Sequence, residues 1–291
     1  MQYAHSFQVG GLTWAGLSHD ESFADDKPPI LCLHGWLDNA ASFLPLAAKL
    51  SNEPLLALDF PGHGHSSHRS ADAHYYFFDW VHDLVALCRQ QQWQQLTVIG
   101  HSMGGMVATA LAASFPELVA KLVLIDSLGF ITTDENEVPA QLRRGIESRL
   151  ARPAGRRPRY TTLQKAAEAR HKQSDFSMQQ ALILAERGTE RDQAGVSWRA
   201  DMRLRHQSVY RMTMEQATAL IRAVECPVLA ILAEDGMFKT QPEKLLRNYQ
   251  SIAVKQVLGG HHCHMTEAAL VATLVATWLA EFCVECQTGI D

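Results

Sequence analysis

The sequence predicts an α/β fold, a doubly wound and mostly parallel sheet interrupted by an inserted helical segment. Three observations lead there. From Ile30 onward short apolar runs alternate with stretches of helical spacing. The runs are apolar almost without a break, as in strands covered on both faces. The alternation then stops between about Ser127 and Glu225 and resumes afterwards.

Each element has its own warrant. VGGLTW (9–14), with Gly10-Gly11 between apolar flanks, predicts an amino-terminal hairpin. ILCL (30–33), LLALDF (55–60), LTVIG (96–100), KLVLID (121–126), PVLAIL (227–232) and AVKQVL (253–258) read as buried strands. Helical spacing appears in NAASFLPLAAKL (39–50), FFDWVHDLVALCRQQ (77–91) and MVATALAASF (106–115). The last helix is marked by Val271, Leu274, Val275, Trp278, Leu279 and Phe282 on one face. The break holds no buried strand, and three helices are predicted in it: VPAQLRRGIESRL, SMQQALILAERG and TMEQATALIRAV. Ser177 and Thr213 sit as N-caps and Gly188 as a C-cap. A stretch this long does not run as a loop. The expected division is a core of 1–129 and 224–291 around a helical cap of 130–223.

Composition narrows the class. A chain of 291 residues, 47% hydrophobic and 20% charged, buries an ordinary globular core. Net charge of -5 gives no electrostatic case for nucleic acid or an anionic membrane, and no apolar run approaches a bilayer span. The start MQYAHSFQVGG lacks the basic and apolar regions of a secretory signal. Six cysteines, several inside apolar runs, fit free thiols in a reducing cytoplasm, where the protein is expected to reside. Cys283 and Cys286 form a C-x-x-C at the wrong end of a helix for a redox pair.

The chemistry is concentrated in IGHSMGG (99–105). Gly100, Ser102 and Gly104 form a G-x-S-x-G between a buried strand and a helical run, the context that makes a sharp turn present the serine. The amide of Met103 then faces a developing oxyanion, and the Trp36 amide, in LCLHGWLDN (31–39), can supply a second donor. His34 reads as a support of that loop, and Asp59, His63 and His65 in LALDFPGHGHSS read as structural.

HGW, DFPGHGHS (59–66), GHSMGG and GGHHCHM occur in the order and spacing of the α/β-hydrolase superfamily, which the chain resembles on both sides of the insertion. Within the insertion IDSLGF (125–130), LAERG (184–188) and WRADMRL (198–204) resemble the serine hydrolase-like esterases. The resemblance implies a Ser-His-Asp triad and a cap that shapes an acyl pocket, with Phe130 and Ile131 on its inner surface. In the superfamily's G-H-x-x-H pattern the first histidine is the base, which points to His261; His262 and His264 stay open as alternatives, with His264 read as structural beside a cap at Thr266. A metal site at H-H-x-H is the competing reading, and three imidazoles in so tight a turn do not converge easily on one ion.

The acid has two candidates in chain order. Asp126 ends the strand KLVLID; Asp235 follows PVLAIL, one residue short of the superfamily's usual position, which Gly236 occupies. Asp126 is preferred and Asp235 kept as the alternative. The expected activity is carboxylesterase-like hydrolysis of a small-molecule ester, with no cofactor and no metal. Thioester or amide hydrolysis and a non-catalytic ligand-binding relative are the alternatives. The seven arginines of 141–160 read either as a solvated edge or as an attractor of an acidic or phosphate-bearing acyl donor.

Overall fold

The computed structural model describes residues 1–23, 28–151, 157–240 and 242–285, with the side chains of 282–285 excepted. The main sheet contains β1 (Tyr3–Val9), β2 (Leu12–Ser18), β3 (Ile30–Leu33), β4 (Leu55–Leu58), β5 (Leu96–His101) and β6 (Val119–Ile125). A short hairpin, β7 (Thr189–Asp192) and β8 (Gly195–Trp198), lies between β6 and the last two sheet strands, β9 (Val228–Asp235) and β10 (Ile252–Gly260). The helices are α1 (Leu44–Ala47), α2 (Phe77–Gln90), α3 (Met103–Ser114), α4 (Val138–Ala151) and α5 (Leu163–His171). They continue with α6 (Met178–Gly188), α7 (Met214–Arg222), α8 (Glu243–Leu246), α9 (Cys263–Thr266) and α10 (Ala268–Glu285).

Sheet order is β1-β2-β4-β3-β5-β6-β9-β10. In that sheet β4, β3, β5, β6, β9 and β10 pair in parallel, and the β1–β2 hairpin joins β4 antiparallel. The central strands β3 and β4 are buried at every position, as continuous apolarity requires. Along β3 alternate residues serve opposite faces: Leu31 and Leu33 join the cluster of α2 and α3, while Ile30 and Cys32 join that of α1 and α10. β10 departs from expectation. It closes the sheet, and its Lys255 and Gln256 are exposed while Val257 is buried, so it is an edge strand and not a doubly covered one.

From β3 the chain steps outward to β4 and then crosses back to β5 on the other side of β3. The carboxyl ends of β3 and β5 therefore flank the switch point, where open α/β sheets hold ligands. HGW follows the first and Ser102 follows the second.

The segment between β6 and β9 carries α4 to α7, as three of the predicted helices required. Ser177 and Thr213 are N-caps with complete capping boxes. Three details differ. The hairpin β7–β8 and the polar helix α5 were not anticipated, because four-residue strands such as TERD carry no apolar run and LQKAAEARH has few apolar positions. Gly188 is the last residue of α6 and Thr189 is its C-cap. Thr266 ends α9 and does not cap α10, which starts at Ala268. The segment's own apolar cluster (Ala167, Phe176, Ala181, Leu184, Ala185) includes Met265 of α9, so it is packed onto the sheet domain.

Cys32, Cys88 and Cys263 are buried free thiols and Cys226 is half-buried. The C-x-x-C of Cys283 and Cys286 lies outside the residues whose side chains are described. Among the described residues no helix is long and apolar enough to cross a membrane.

Candidate active site

Ser102 stands between β5 and α3 with φ 51 and ψ -120, a backbone conformation that costs a non-glycine residue on the order of 1–3 kcal/mol. The surroundings hold it there. Its N–H donates to Ile125 O, and its carbonyl accepts from Ser127 Oγ at 2.9 Å. The turn is tight enough that a Cβ on Gly104 would lie 2.0 Å from Leu33 O, and one on Gly100 would lie 2.5 Å from Gly105 Cα. Both flanking glycines are thus required by close approach of backbone to backbone.

His261 lies just past β10. Its Nε2 is 2.8 Å from Ser102 Oγ, so the hydroxyl can donate to it, and its Nδ1–H donates to Asp126 Oδ2 at 2.5 Å. Asp126 is fully buried at the end of β6 with φ 41; its Oδ2 also accepts from Met237 N–H at 2.8 Å. Met237 Sδ sits 3.9 Å from Ser102 Oγ. Asp235, the alternative acid, is exposed at the end of β9, and among the described residues it bonds no histidine.

Gly236 explains how the carboxylate can come from β6. A Cβ at 236 would lie 2.1 Å from Asp126 Oδ1. The space that a side chain from the β9 loop would fill is occupied by the Asp126 carboxyl. β6 and β9 are paired neighbours, so either can deliver an acid to this point.

Met103 is the first residue of α3, so its amide has no acceptor within the helix, and Trp36 sits in the turn after β3. Both line the same cavity as Ser102 and His261, of about 660 Å³. The Trp36 ring is half exposed and its Nε1–H donates to Leu204 O in the inserted segment. Phe130 and Ile131 line the cavity too. His34 is buried, donating from Nδ1 to Gly35 O and accepting from Phe60 N–H at Nε2, and burial lowers its pKa. His63 accepts from Leu37 N–H, and Asp59 accepts from the amides of Ala40 and His65.

Residues 28–239 match the family described as alpha/beta hydrolase fold. The chain belongs to this family. Two relatives extend the likeness over most of the length of this α/β hydrolase. The serine hydrolase-like protein of Danio rerio is 33% identical over 285 residues, covering 94% of this chain and 85% of that protein. Serine hydrolase-like protein 2 of Homo sapiens is 33% identical over 272 residues, 87% of each. Among solved structures, the hypothetical protein PA1622 from Pseudomonas aeruginosa PAO1 superposes with TM-score 0.88 at 37% identity, covering 95% of this chain and 99% of that one. The hydrolase also resembles the thioesterase domain from the curacin biosynthetic pathway, at TM-score 0.81 and 23% identity, a likeness of fold.

His101, Asp38 and Asp175, around the same site, carried no signal in the sequence, and neither alternative base, His262 or His264, bonds Ser102 among the described residues. His101, just before the serine, is fully buried, and its Nε2–H donates to the backbone carbonyl of His261 at 2.8 Å. His262 meets two carboxylates. Its Nδ1 meets Asp175 Oδ1 at 2.5 Å, and its Nε2 lies 3.3 Å from Asp38 Oδ2. Burial by itself would lower the His262 pKa, but the carboxylates of Asp38 and Asp175 outweigh it and hold the ring charged to about 9. Burial likewise opposes the charge on Asp38, yet His262, Arg170 and His101 keep its pKa well below the usual range. His264 is sealed between His101 and Phe43, and burial followed by the charge on His262 lowers its pKa to about 3. His264 is therefore a neutral packing ring.

Proposed function

We propose that this hydrolase cleaves carboxylic esters through an acyl-enzyme on Ser102, with His261 as base and Asp126 as its partner. The observation that carries the proposal is the unbroken chain of contacts from Ser102 Oγ to His261 Nε2 at 2.8 Å and from Nδ1 to the buried Asp126 at 2.5 Å. Ser102 Oγ attacks the carbonyl carbon while its proton moves to Nε2. The carbonyl π-electrons become an oxyanion, which the amides of Met103 and Trp36 receive; a donor of this kind contributes roughly 3–4 kcal/mol. Collapse expels the alcohol, which takes the proton from Nε2. Water then repeats the sequence on the acyl-enzyme and releases the acid. Asp126 accepts from Nδ1–H throughout and favours the transient imidazolium.

The inserted segment acts in this proposal as a cap. Leu204 to Ser208, Tyr210 to Met212, the loop residues His74 to Tyr76 and the first residues of α2, Phe77 and Phe78, line the cavity beside Ser102. Arg203, just before Leu204, holds the chain just before His74, donating to the carbonyls of Arg69, Ser70 and Ala73 and to Asp201. The same acyl transfer would serve a thioester, since the triad does not fix the leaving group.

A fluorophosphonate probe tests the reading. Wild-type protein is expected to be labelled, and Ser102→Ala to resist labelling with its circular dichroism unchanged. A wild type that resists the probe and cleaves no member of a nitrophenyl ester series would favour a ligand-binding relative.

A further inference from the structure

We infer that the substrate of this cavity joins an apolar chain to an anionic group, a carboxylate or a phosphate, which Arg149 and Arg211 receive. The inference rests on the acyl-hydrolase reading for the position of the reacting carbonyl. It stands on an imbalance of charge in the wall.

Among the described residues five arginines line the cavity that holds Ser102, against one carboxylate, that of Asp38; one of the five, Arg205, has an interaction of its own. Asp38 is already taken, bonded to Arg170 at 2.7 Å and lying 3.3 Å from His262. Arg203 is spent on Asp201 and on loop carbonyls. Arg149 and Arg211 differ from these. Among the described residues neither has a carboxylate within ion-pairing distance. Arg149 instead lies 5.0 Å from the Tyr76 ring and donates to its hydroxyl at 3.2 Å, while its buried Nε has no partner.

Four other arginines of the inserted segment give the contrast. Arg143 pairs with Glu147, Arg144 with Glu137, Arg157 with Glu190 and Arg159 with Asp192. Those four arginines are matched with acids, whereas the cavity arginines Arg149 and Arg211 are left for something else. A planar guanidinium is suited to that task, since it grips a carboxylate or phosphate through two parallel N–H groups. His74, also in the wall, reports the same field. Burial, then Arg149 and its cationic neighbours, lowers its pKa. The remaining wall, with Met106, Phe130 and Met212, accommodates the apolar part.

The source of the anion decides where it sits in the substrate, and matched pairs separate the two. The first pair is nitrophenyl hexanoate against the nitrophenyl half-ester of adipic acid, which places a carboxylate at the far end of the acyl chain. The second is hexanoyl-pantetheine against hexanoyl-phosphopantetheine, which places a phosphate on the leaving group. In one pair wild-type kcat/KM is expected to favour the anionic member by about tenfold or more, with the preference weakening as salt rises. Arg149→Gln with Arg211→Gln should collapse that ratio, and Arg149→Lys with Arg211→Lys should restore part of it. Equal rates within both pairs, or a preference that survives the glutamine substitutions, would overturn the inference.

Should no ester turn over, the hydrolase reading fails through the probe experiment, while the anion site is tested by binding alone. Ser102→Ala protein should then bind hexyl phosphate or hexanoate in a calorimeter more tightly than hexanol, and lose that margin with both arginines replaced. Equal binding would reject the site.

Discussion

His261 and His262 are adjacent in sequence, their rings 5.2 Å apart, and each has a carboxylate 2.5 Å from Nδ1. They differ at the other nitrogen. His261 Nε2 meets a serine hydroxyl, whereas His262 Nε2 meets a second carboxylate. A ring between an acid and a hydroxyl keeps a lone pair for the proton it must take. A ring between two acids is a fixed cation that fastens one part of the chain to another. Here it fastens Asp175 of the inserted segment to Asp38 of the loop after β3. On the proposed mechanism the same residue type thus serves as base or as clasp according to what faces its far nitrogen.

The largest expected effect breaks the first of these rings. Replacing His261 by Ala should lower kcat on a cleavable ester by on the order of 10⁴-fold or more, with little change in thermal midpoint. Replacing His262 by Gln should do the reverse. Rates measured at saturating substrate should stay within about 100-fold of wild type, while urea unfolding loses about 3–5 kcal/mol because Asp38 and Asp175 lose their cation. A collapse of activity without a loss of stability in His262→Gln would erase the distinction.

Next in size is the acid. Asp126→Asn should cost roughly 10³–10⁴-fold in kcat. Gly236 offers a way to sharpen this, since its Cβ direction leads into the Asp126 carboxyl. In Asp126→Ala the added change Gly236→Asp should regain at least about tenfold by returning a carboxylate from β9. In the wild type Gly236→Asp should destabilise, because two carboxyls cannot share that space.

The smallest effect is in pH. The folded-state pKa of His262, about 9, stands above its ordinary 6.5. Its ion pairs therefore contribute fully below pH 6.5, and that contribution, up to about 3 kcal/mol, is lost as pH rises through 9. The ring is faced by Asp38, Asp175, His101, His261 and His264. Of these His264 acts oppositely: its depressed pKa, about 3, makes stability fall as pH drops from 6.5 towards 3. Unfolding free energy should decline between pH 6.5 and 9 in the wild type, and Asp175→Asn should flatten that decline. An identical slope in the variant would remove the clasp from the argument.

How far these roles could be read beforehand follows from the range of the interactions that create them. Ser102 is legible because Gly100 and Gly104 are demanded by a turn a few residues long. The central strands are legible because both faces of each are covered, so every side chain is apolar. Asp126 was one of two candidates, and the choice depends on β6 pairing with β9, which no local pattern records. Asp175 is further out of reach. It meets His262 across 87 positions, from the turn between α5 and α6, and nothing near it marks a carboxylate as special. His101 hides within a motif whose serine draws the attention, although its buried place at the end of β5 holds the carbonyl of His261.

Asp59 carries a last consequence. Its carboxyl is wholly buried and is gripped through both oxygens by Arg187, a residue of α6. Asp38, also buried, leans on Arg170 of α5 through one oxygen. The sheet domain has placed negative charge in its interior on the understanding that the intervening hundred residues will neutralise it. Excising that stretch, or transplanting one from a distant relative without those two guanidinium groups, would strand the Asp59 anion and leave Asp38 with His262 alone. The molecule can be redesigned around its cavity, but not by treating the covering as detachable.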